Sequence, residues 1–276
     1  MALTQRIAFI GAGNMAGALV HGLVAARACS PAQIVASDTS AQACAELAGK
    51  HGIGCSPDNA SAAHGADVLV LCVKPQVLPG VLAELAPHVG PNTLAVSIAA
   101  GVPVSVLERG LGAGVRVVRA MPNTPALVQA GATAIAAGTH ATEADLALCE
   151  TLFASVGVVE RVAESLLDAV TGLSGSGPAY VFLLVEALSA AGRAVGLPAG
   201  TAAALAAQTV YGAGKLLHES GEDPAALRRK VTSPNGTTQA GIERLEQRDF
   251  QAIVADAVRC ATERAHVLGA EAAKRS

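Results

Sequence analysis

A doubly wound, mostly parallel α/β domain followed by an all-helical C-terminal domain is the fold this sequence predicts. Short apolar runs alternate with helical segments up to about residue 160, a glycine turn joins the first run to the first helix, and strand signals stop after Ala163. Continuous apolar strands separated by helices belong to a parallel sheet covered on both faces. The join falls near 160–165, giving an α/β part over residues 1–163 and a helical part over residues 164–276, with no repeat or low-complexity linker between them.

The first strand, 6–10, ends at Ile10 and runs into Gly11-Ala12-Gly13-Asn14-Met15, which opens a helix reaching about Arg27. Gly11 permits the sharp turn, Gly13 lets the backbone approach a phosphate with no Cβ in the way, and Ala16 keeps helix and strand close. The helix N-terminus offers free N–H groups and the positive dipole end to a dinucleotide pyrophosphate. The second strand, 33–37, ends in Ser37-Asp38-Thr39-Ser40, with Asp38 placed 22 residues after Ala16. A carboxylate there suits adenosine ribose hydroxyls and repels a 2′-phosphate. The hydroxyls of Ser37, Thr39 and Ser40 are an alternative phosphate contact, and Asp38–Ser40 also reads as the cap of a helix over 40–50.

The next strand, 67–73, leads through Cys72-Val73-Lys74-Pro75 into a helix over 76–86, with Pro75 suited to its first turn. Strand 93–98 ends in Ser97-Ile98-Ala99-Ala100-Gly101, whose small residues admit a flat ring, and a helix follows over 103–109. Strand 115–120 ends in Arg119–Pro125, where two prolines hold Asn123 and Thr124 stiffly. These segments all fall at strand C-termini, where open α/β sheets bind ligands. Strands at 132–136 and 156–160 flank a helix over 142–154. From Ser165 onward the pattern is helical, with breaks at Gly172–Gly177, Gly196–Gly200, Gly221–Pro224 and Ser233–Gly236. At the first break, Ser176 suits a cap and Pro178 the first helical position. The last break, Thr232-Ser233-Pro234-Asn235-Gly236-Thr237-Thr238, gathers hydroxyls and free amides ahead of a helix near 238–247. Such a turn can receive a small carboxylate without a cation.

Composition narrows the function classes. The chain is 51% hydrophobic and 15% charged, with a mean hydropathy of +0.45. Two long charge-free stretches, Ala120–Thr142 and Ala194–Gly214, are broken by proline and glycine, short of the roughly 20 strongly apolar residues that a spanning helix needs. Extensive burial, including helix packing between subunits, is expected instead. A net charge of −3, 2% aromatic residues and no Trp leave no nucleic-acid footprint. No basic segment followed by an apolar run marks a signal peptide, so a cytoplasmic location is expected. The six cysteines lie far apart without a C-x-x-C pair, so free, mostly buried thiols and no metal site are expected. No catalytic role falls to any of the seven scattered histidines.

Taken together, Phe9-Ile-Gly-Ala-Gly-Asn-Met, Val73-Lys-Pro-Gln, Ser97-Ile-Ala-Ala-Gly, Met121-Pro-Asn-Thr-Pro, Leu173-Ser-Gly-Ser-Gly-Pro-Ala-Tyr and Thr232-Ser-Pro-Asn-Gly-Thr-Thr resemble the pyrroline-5-carboxylate reductase family, from Ile7 to about Val267. The resemblance implies a Rossmann-like dinucleotide domain. It also implies hydride transfer from NADPH or NADH to the C=N bond of 1-pyrroline-5-carboxylate, giving L-proline in the last step of proline biosynthesis. Cofactor contacts are implied for residues 10–15 and 72–75 and for Asn59, beside Ser37, Asp38, Ala99 and Asn123. Ser233, Gly236, Thr237 and Thr238 would hold the substrate, with Thr238 donating to the imine nitrogen. A homodimer with interleaved helical domains, built further into rings such as a decamer, is implied as well. The sequence departs from the family at Asn235, where relatives carry glycine, and at Asp38, where NADPH users present uncharged or basic residues. Asn tolerates the left-handed region. A 3-hydroxyacid dehydrogenase, which would need an acid–base group such as Lys215, and a non-catalytic NAD(P)-sensing protein are the alternatives.

Overall fold

The computed structural model describes residues 3–275. Strands β1 (Ile7–Ile10), β2 (Ile34–Ser37), β3 (Gly54–Ser56), β4 (Val68–Leu71), β5 (Leu94–Ser97), β6 (Arg116–Met121), β7 (Gly131–Ala137) and β8 (Gly157–Arg161) form one sheet in the order β3-β2-β1-β4-β5-β6-β7-β8. Neighbours are parallel except β6 and β7. Strands β1, β4 and β5 are buried along their whole length, which is why they read as unbroken apolar runs. Strand order reverses between β1 and β4, and the crevice above that point is where such sheets take ligands.

Two apolar layers enclose the sheet. Helices α1 (Asn14–Ala25), α2 (Ala41–His51) and α6 (Glu143–Ala154) close one face: Leu19, Leu23, Leu47, Leu152 and Phe153 pack with Ile7, Phe9, Val70 and Val96. Helices α3 (Asn59–Ala63), α4 (Leu78–Leu85) and α5 (Val104–Leu111) close the other, with Ala62, Leu78, Leu82 and Leu107 against Ala8, Ile10, Leu69 and Leu71. The helical part comprises α7 (Leu167–Val170), α8 (Gly177–Ala194), α9 (Ala199–Ser220), α10 (Pro224–Lys230), α11 (Thr237–Glu246) and α12 (Phe250–Arg275).

The chain divides into two compact units, residues 1–175 with 260–276, and residues 176–259. Helix α7 belongs with the sheet because Leu167 is buried against Ala134 and Ala136 of β7. The tail of α12 belongs there too, since Gly101 lies against Leu268 and the backbone of Ala265 and Gly269.

At Gly172–Gly177 the α-helix stops and restarts, with Thr171–Gly175 forming a π-helical turn between α7 and α8. Ser176 does occupy the cap position of α8, but its side chain makes no capping bond. Pro75 precedes α4 rather than opening it, because Val77 and Leu78 donate to Lys74 O in a separate turn, and Pro79 is the first-turn proline. Cys44 and Cys55 are joined as a disulfide rather than held as free thiols, because the turn from α2 into β3 brings their Cα atoms to 5.8 Å. Cys29 and Cys149 are buried free thiols as expected, Cys72 is part-buried and Cys260 is exposed.

Candidate functional site

The glycine turn is fixed from beneath by its neighbours. Gly11 has φ +100°, and a Cβ there would stand 3.0 Å from the carbonyl carbon and oxygen of Cys72, so only glycine fits. Gly11 N–H donates to Ser37 O at 2.8 Å and Cys72 N–H to Ile10 O at 2.8 Å, drawing the ends of β1, β2 and β4 together. Gly13 caps α1 without a side-chain bond, and the space where its Cβ would stand is open. The first-turn amides of α1 therefore have no intrahelical partner and face an open cradle. That is the shape and polarity a dinucleotide pyrophosphate requires, so the residues present fit the cofactor.

Asp38 is tied into the same turn. Its Oδ2 accepts from Ala12 N–H and its Oδ1 from Ser40 N–H, both at 2.8 Å. Ser40 also caps α2 through Ala43 N–H, so Asp38–Ser40 has a capping role whatever else it does. The carboxylate is half-buried and held at the tip of β2, where a bound adenosine ribose would meet it. Ser37 is different. It is wholly buried and donates its hydroxyl to Asn59 Oδ1 at 2.7 Å. Asn59 in turn donates to Glu84 Oε2 at 2.8 Å. Glu84 went unnoticed in the sequence, since its pairing crosses from α4 to α3 and leaves no local signal.

At the end of β4, Lys74 is exposed and Val73 and Pro75 are part-buried. Burial pushes the Cys72 thiol well above its ordinary range, so the residue supplies backbone and shape rather than a nucleophile. A cavity of about 350 Å³ opens beside the ends of β4 and β5, walled in part by Pro75, Gln76, Ala100, Val102 and Leu268. Ala99 is buried next to it, with its N–H on Ser97 Oγ at 3.3 Å. Asn123 is engaged within the fold. Its Nδ2 donates to the carbonyl and hydroxyl of Ser174 at 3.2 and 3.3 Å, and its Oδ1 accepts from Ala132 N–H at 2.8 Å. Both ends of the amide brace the loop after β6.

The second compact unit carries the other candidate residues. Gly236 is the cap of α11 and has no side-chain capping bond, so the first-turn amides at Thr237 and Thr238 lack intrahelical partners. Gly236 N–H donates to Ser233 O at 3.0 Å, and a Cβ at Gly236 would collide with Ser233 Oγ, so this hydroxyl lies directly against the cap. Asn235 takes φ +59°, the left-handed conformation expected of it. Ser233, Thr237 and Thr238 are exposed. Among the described residues no group of three or more His, Cys, Asp or Glu could hold a metal ion.

A dinucleotide cradle on a doubly wound sheet and a hydroxyl-rich helix terminus on a helical unit define a nicotinamide-dependent oxidoreductase. The profile described as "NADP oxidoreductase coenzyme F420-dependent" matches residues 6–101, and that described as "Pyrroline-5-carboxylate reductase dimerisation" matches residues 164–268. Pyrroline-5-carboxylate reductase of Pseudomonas aeruginosa is 47% identical over 95% of this chain and 96% of its own. That of Methanosarcina acetivorans is 46% identical, covering 96% and 98%. A solved pyrroline-5-carboxylate reductase from Coxiella burnetii superposes with a TM-score of 0.92 at 39% identity, covering 96% and 99% of the two chains. The Plasmodium falciparum pyrroline carboxylate reductase, solved with NADP bound, gives 0.85 at 29% identity over 98% and 100%. The chain belongs to the pyrroline-5-carboxylate reductase family.

Proposed function

We propose that this chain reduces 1-pyrroline-5-carboxylate to L-proline, the last step of proline biosynthesis, in the cytoplasm. The observation that carries the reading is the turn at residues 233–238. It presents free first-turn amides of a ten-residue helix together with three hydroxyls, a receptor for a small carboxylate that needs no cation. The reduced nicotinamide, NADH or NADPH, supplies the hydride. The protein supplies orientation. A cyclic imine is readily protonated, and its iminium already accepts hydride, so placement of two rings face to face contributes more than an acid–base dyad. Thr238 donates a hydrogen bond to the neutral imine nitrogen, or helps to protonate it, directly or through water. Ser233, Gly236 and Thr237 hold the carboxylate. The first-turn amides of α1 hold the pyrophosphate, and Asp38 faces the adenosine ribose.

Residues 164–276 act as the dimerisation and substrate-binding domain in this proposal. The chain forms a homodimer, and dimers assemble into a ring such as a decamer. The dehydrogenase alternative loses support at Lys215, which pairs with Glu219 one turn along α9 at 2.8 Å, on an exposed surface. Turnover is tested by following loss of reduced-cofactor absorbance with DL-pyrroline-5-carboxylate, in parallel with NADH and NADPH. Activity with both is expected. Absence of turnover with either, alongside intact cofactor binding, would favour the sensing protein, and turnover of 3-hydroxyisobutyrate instead would favour the dehydrogenase.

A further inference from the structure

The left-handed peptide at Asn235 raises a question that the family resemblance leaves open, namely what holds it. Its N–H donates to Gln239 Oε1 at 2.8 Å, and Gln239 Nε2 donates to Glu243 Oε1 at 2.7 Å. Gln239 is the third residue of α11 and Glu243 lies one turn further on. A capping box uses the side chain at this third position to accept the N–H of the cap residue. Here the acceptor reaches one residue further back, past Gly236, to Asn235. The cap N–H is already taken by Ser233 O. The relay also has a defined polarity. An ionised Glu243 can only accept, so the amide of Gln239 must turn its NH₂ end towards it, leaving its oxygen for the Asn235 N–H.

We propose that Gln239 is a positioning residue for substrate, acting through Asn235. With Glu243 it locks the 233–236 turn so that the Ser233 hydroxyl and the free amides of Thr237 and Thr238 converge on one carboxylate. This rests on the reading of that turn as the substrate receptor. Water could satisfy the Asn235 N–H if the amide were removed, but it would not fix the turn. The loss therefore falls on substrate binding rather than on folding or on the cofactor.

The test compares Gln239→Leu, Glu243→Ala and Glu243→Gln in the full-length protein. Gln239→Leu keeps helix propensity and length but removes the acceptor. It is expected to raise KM for pyrroline-5-carboxylate about five- to tenfold, the effect of one lost hydrogen bond, with kcat, the KM for NADH and the melting temperature nearly unchanged. Glu243→Ala should shift KM in the same direction by less, and Glu243→Gln, which keeps an acceptor for Nε2, should behave as wild type. A KM within twofold of wild type in Gln239→Leu would overturn the positioning role, as would a parallel rise in both KM values with a lowered melting temperature. If the wild-type protein does not turn over the pyrroline at all, the functional reading fails rather than the relay. Amide hydrogen exchange at Asn235 then decides the relay: faster exchange in Gln239→Leu supports it, and unchanged exchange refutes it.

Discussion

Thr238 occupies the second position of α11, where its amide and its hydroxyl share the positive end of the helix. In the proposed reaction a hydrogen bond from that hydroxyl to the neutral imine nitrogen strengthens as hydride reaches the ring carbon and electron density builds on the nitrogen, which then takes the proton. Thr238→Ala should therefore lower kcat/KM on the order of 10²-fold, while dissociation of NADH, measured by fluorescence, stays the same. A loss of twofold or less would remove Thr238 from the chemistry. In the proposed site Asp38 works by fixed charge. Its oxygens are held by Ala12 and Ser40 amides, so the carboxylate cannot swing away from a 2′-phosphate. NADH should serve at least as well as NADPH. Asp38→Ser should move the ratio of kcat/KM values towards NADPH by about tenfold or more, roughly 1.4 kcal/mol in transition-state terms. It should also raise KM for both cofactors, since Ala12 loses its acceptor. A wild-type preference for NADPH beyond tenfold would refute this use of Asp38. The thiols follow their surroundings: burial raises the pKa of Cys29, Cys72 and Cys149. All three should resist iodoacetamide at pH 8 until the protein unfolds, as read by mass spectrometry of labelled peptides.

At the scale of elements, legibility tracked how much each segment buries. Strands β1, β4 and β5 were plain in the sequence because both of their faces are covered. Strand β3 was not. It has three residues, Gly54–Ser56, with none fully buried, so no apolar run announces it, and the five-residue α3 after it is equally silent. The glycine turn was legible since φ and close approach restrict residue type there. The roles of Ser37 and Asn123 were not, since hydrogen bonds to Asn59 and Ser174 span 22 and 51 residues and leave no local pattern. Gln239 stood nearer to view, its third-position spacing being a known helix-start signal. The same cross-chain character governs Asp145, which is 3% exposed. It accepts from Thr142 N–H and hydroxyl to close the capping box of α6, and it pairs with Arg116 of β6. Asp145→Ala opens half of the capping box, since the Thr142 hydroxyl still accepts the residue-145 N–H, and takes one partner from Arg116, which keeps the Pro91 and Asn92 carbonyls. A loss of about 1–2 kcal/mol is expected, visible as an earlier urea midpoint, with Asp145→Asn losing less because it keeps an acceptor for the cap. Equal stability of all three proteins would show that the pair contributes nothing.

The whole molecule carries an excess of uncovered apolar surface, and all of α8 shows it. None of its eighteen residues is buried, while Phe182 is 62% and Leu183 65% exposed. In α9 only Ala202 and Ala206 are buried. A surface of this kind marks an interface, and composition foretold the burial without saying where it lies. The helical run Glu164–Ala194 is also long and apolar enough by length and composition to cross a membrane, a stretch the charge-free segments did not include. Two features weigh against a bilayer. Its first turns hold Glu164 and Asp168, both ion-paired with Arg119, a residue of β6 that is itself 5% exposed, which ties that end to the sheet. The run also lies within the segment matched by the dimerisation profile. A second copy of the chain is the better cover. Sedimentation at micromolar concentration should give a dimer or a multiple of it, and flotation with neutral or anionic vesicles should leave the protein at the bottom of the gradient. Phe182→Glu with Leu183→Glu places two charges in that interface, where desolvation is costly. It should yield a monomer with reduced activity, while a wild-type chain that sediments as a monomer would rule out the dimer.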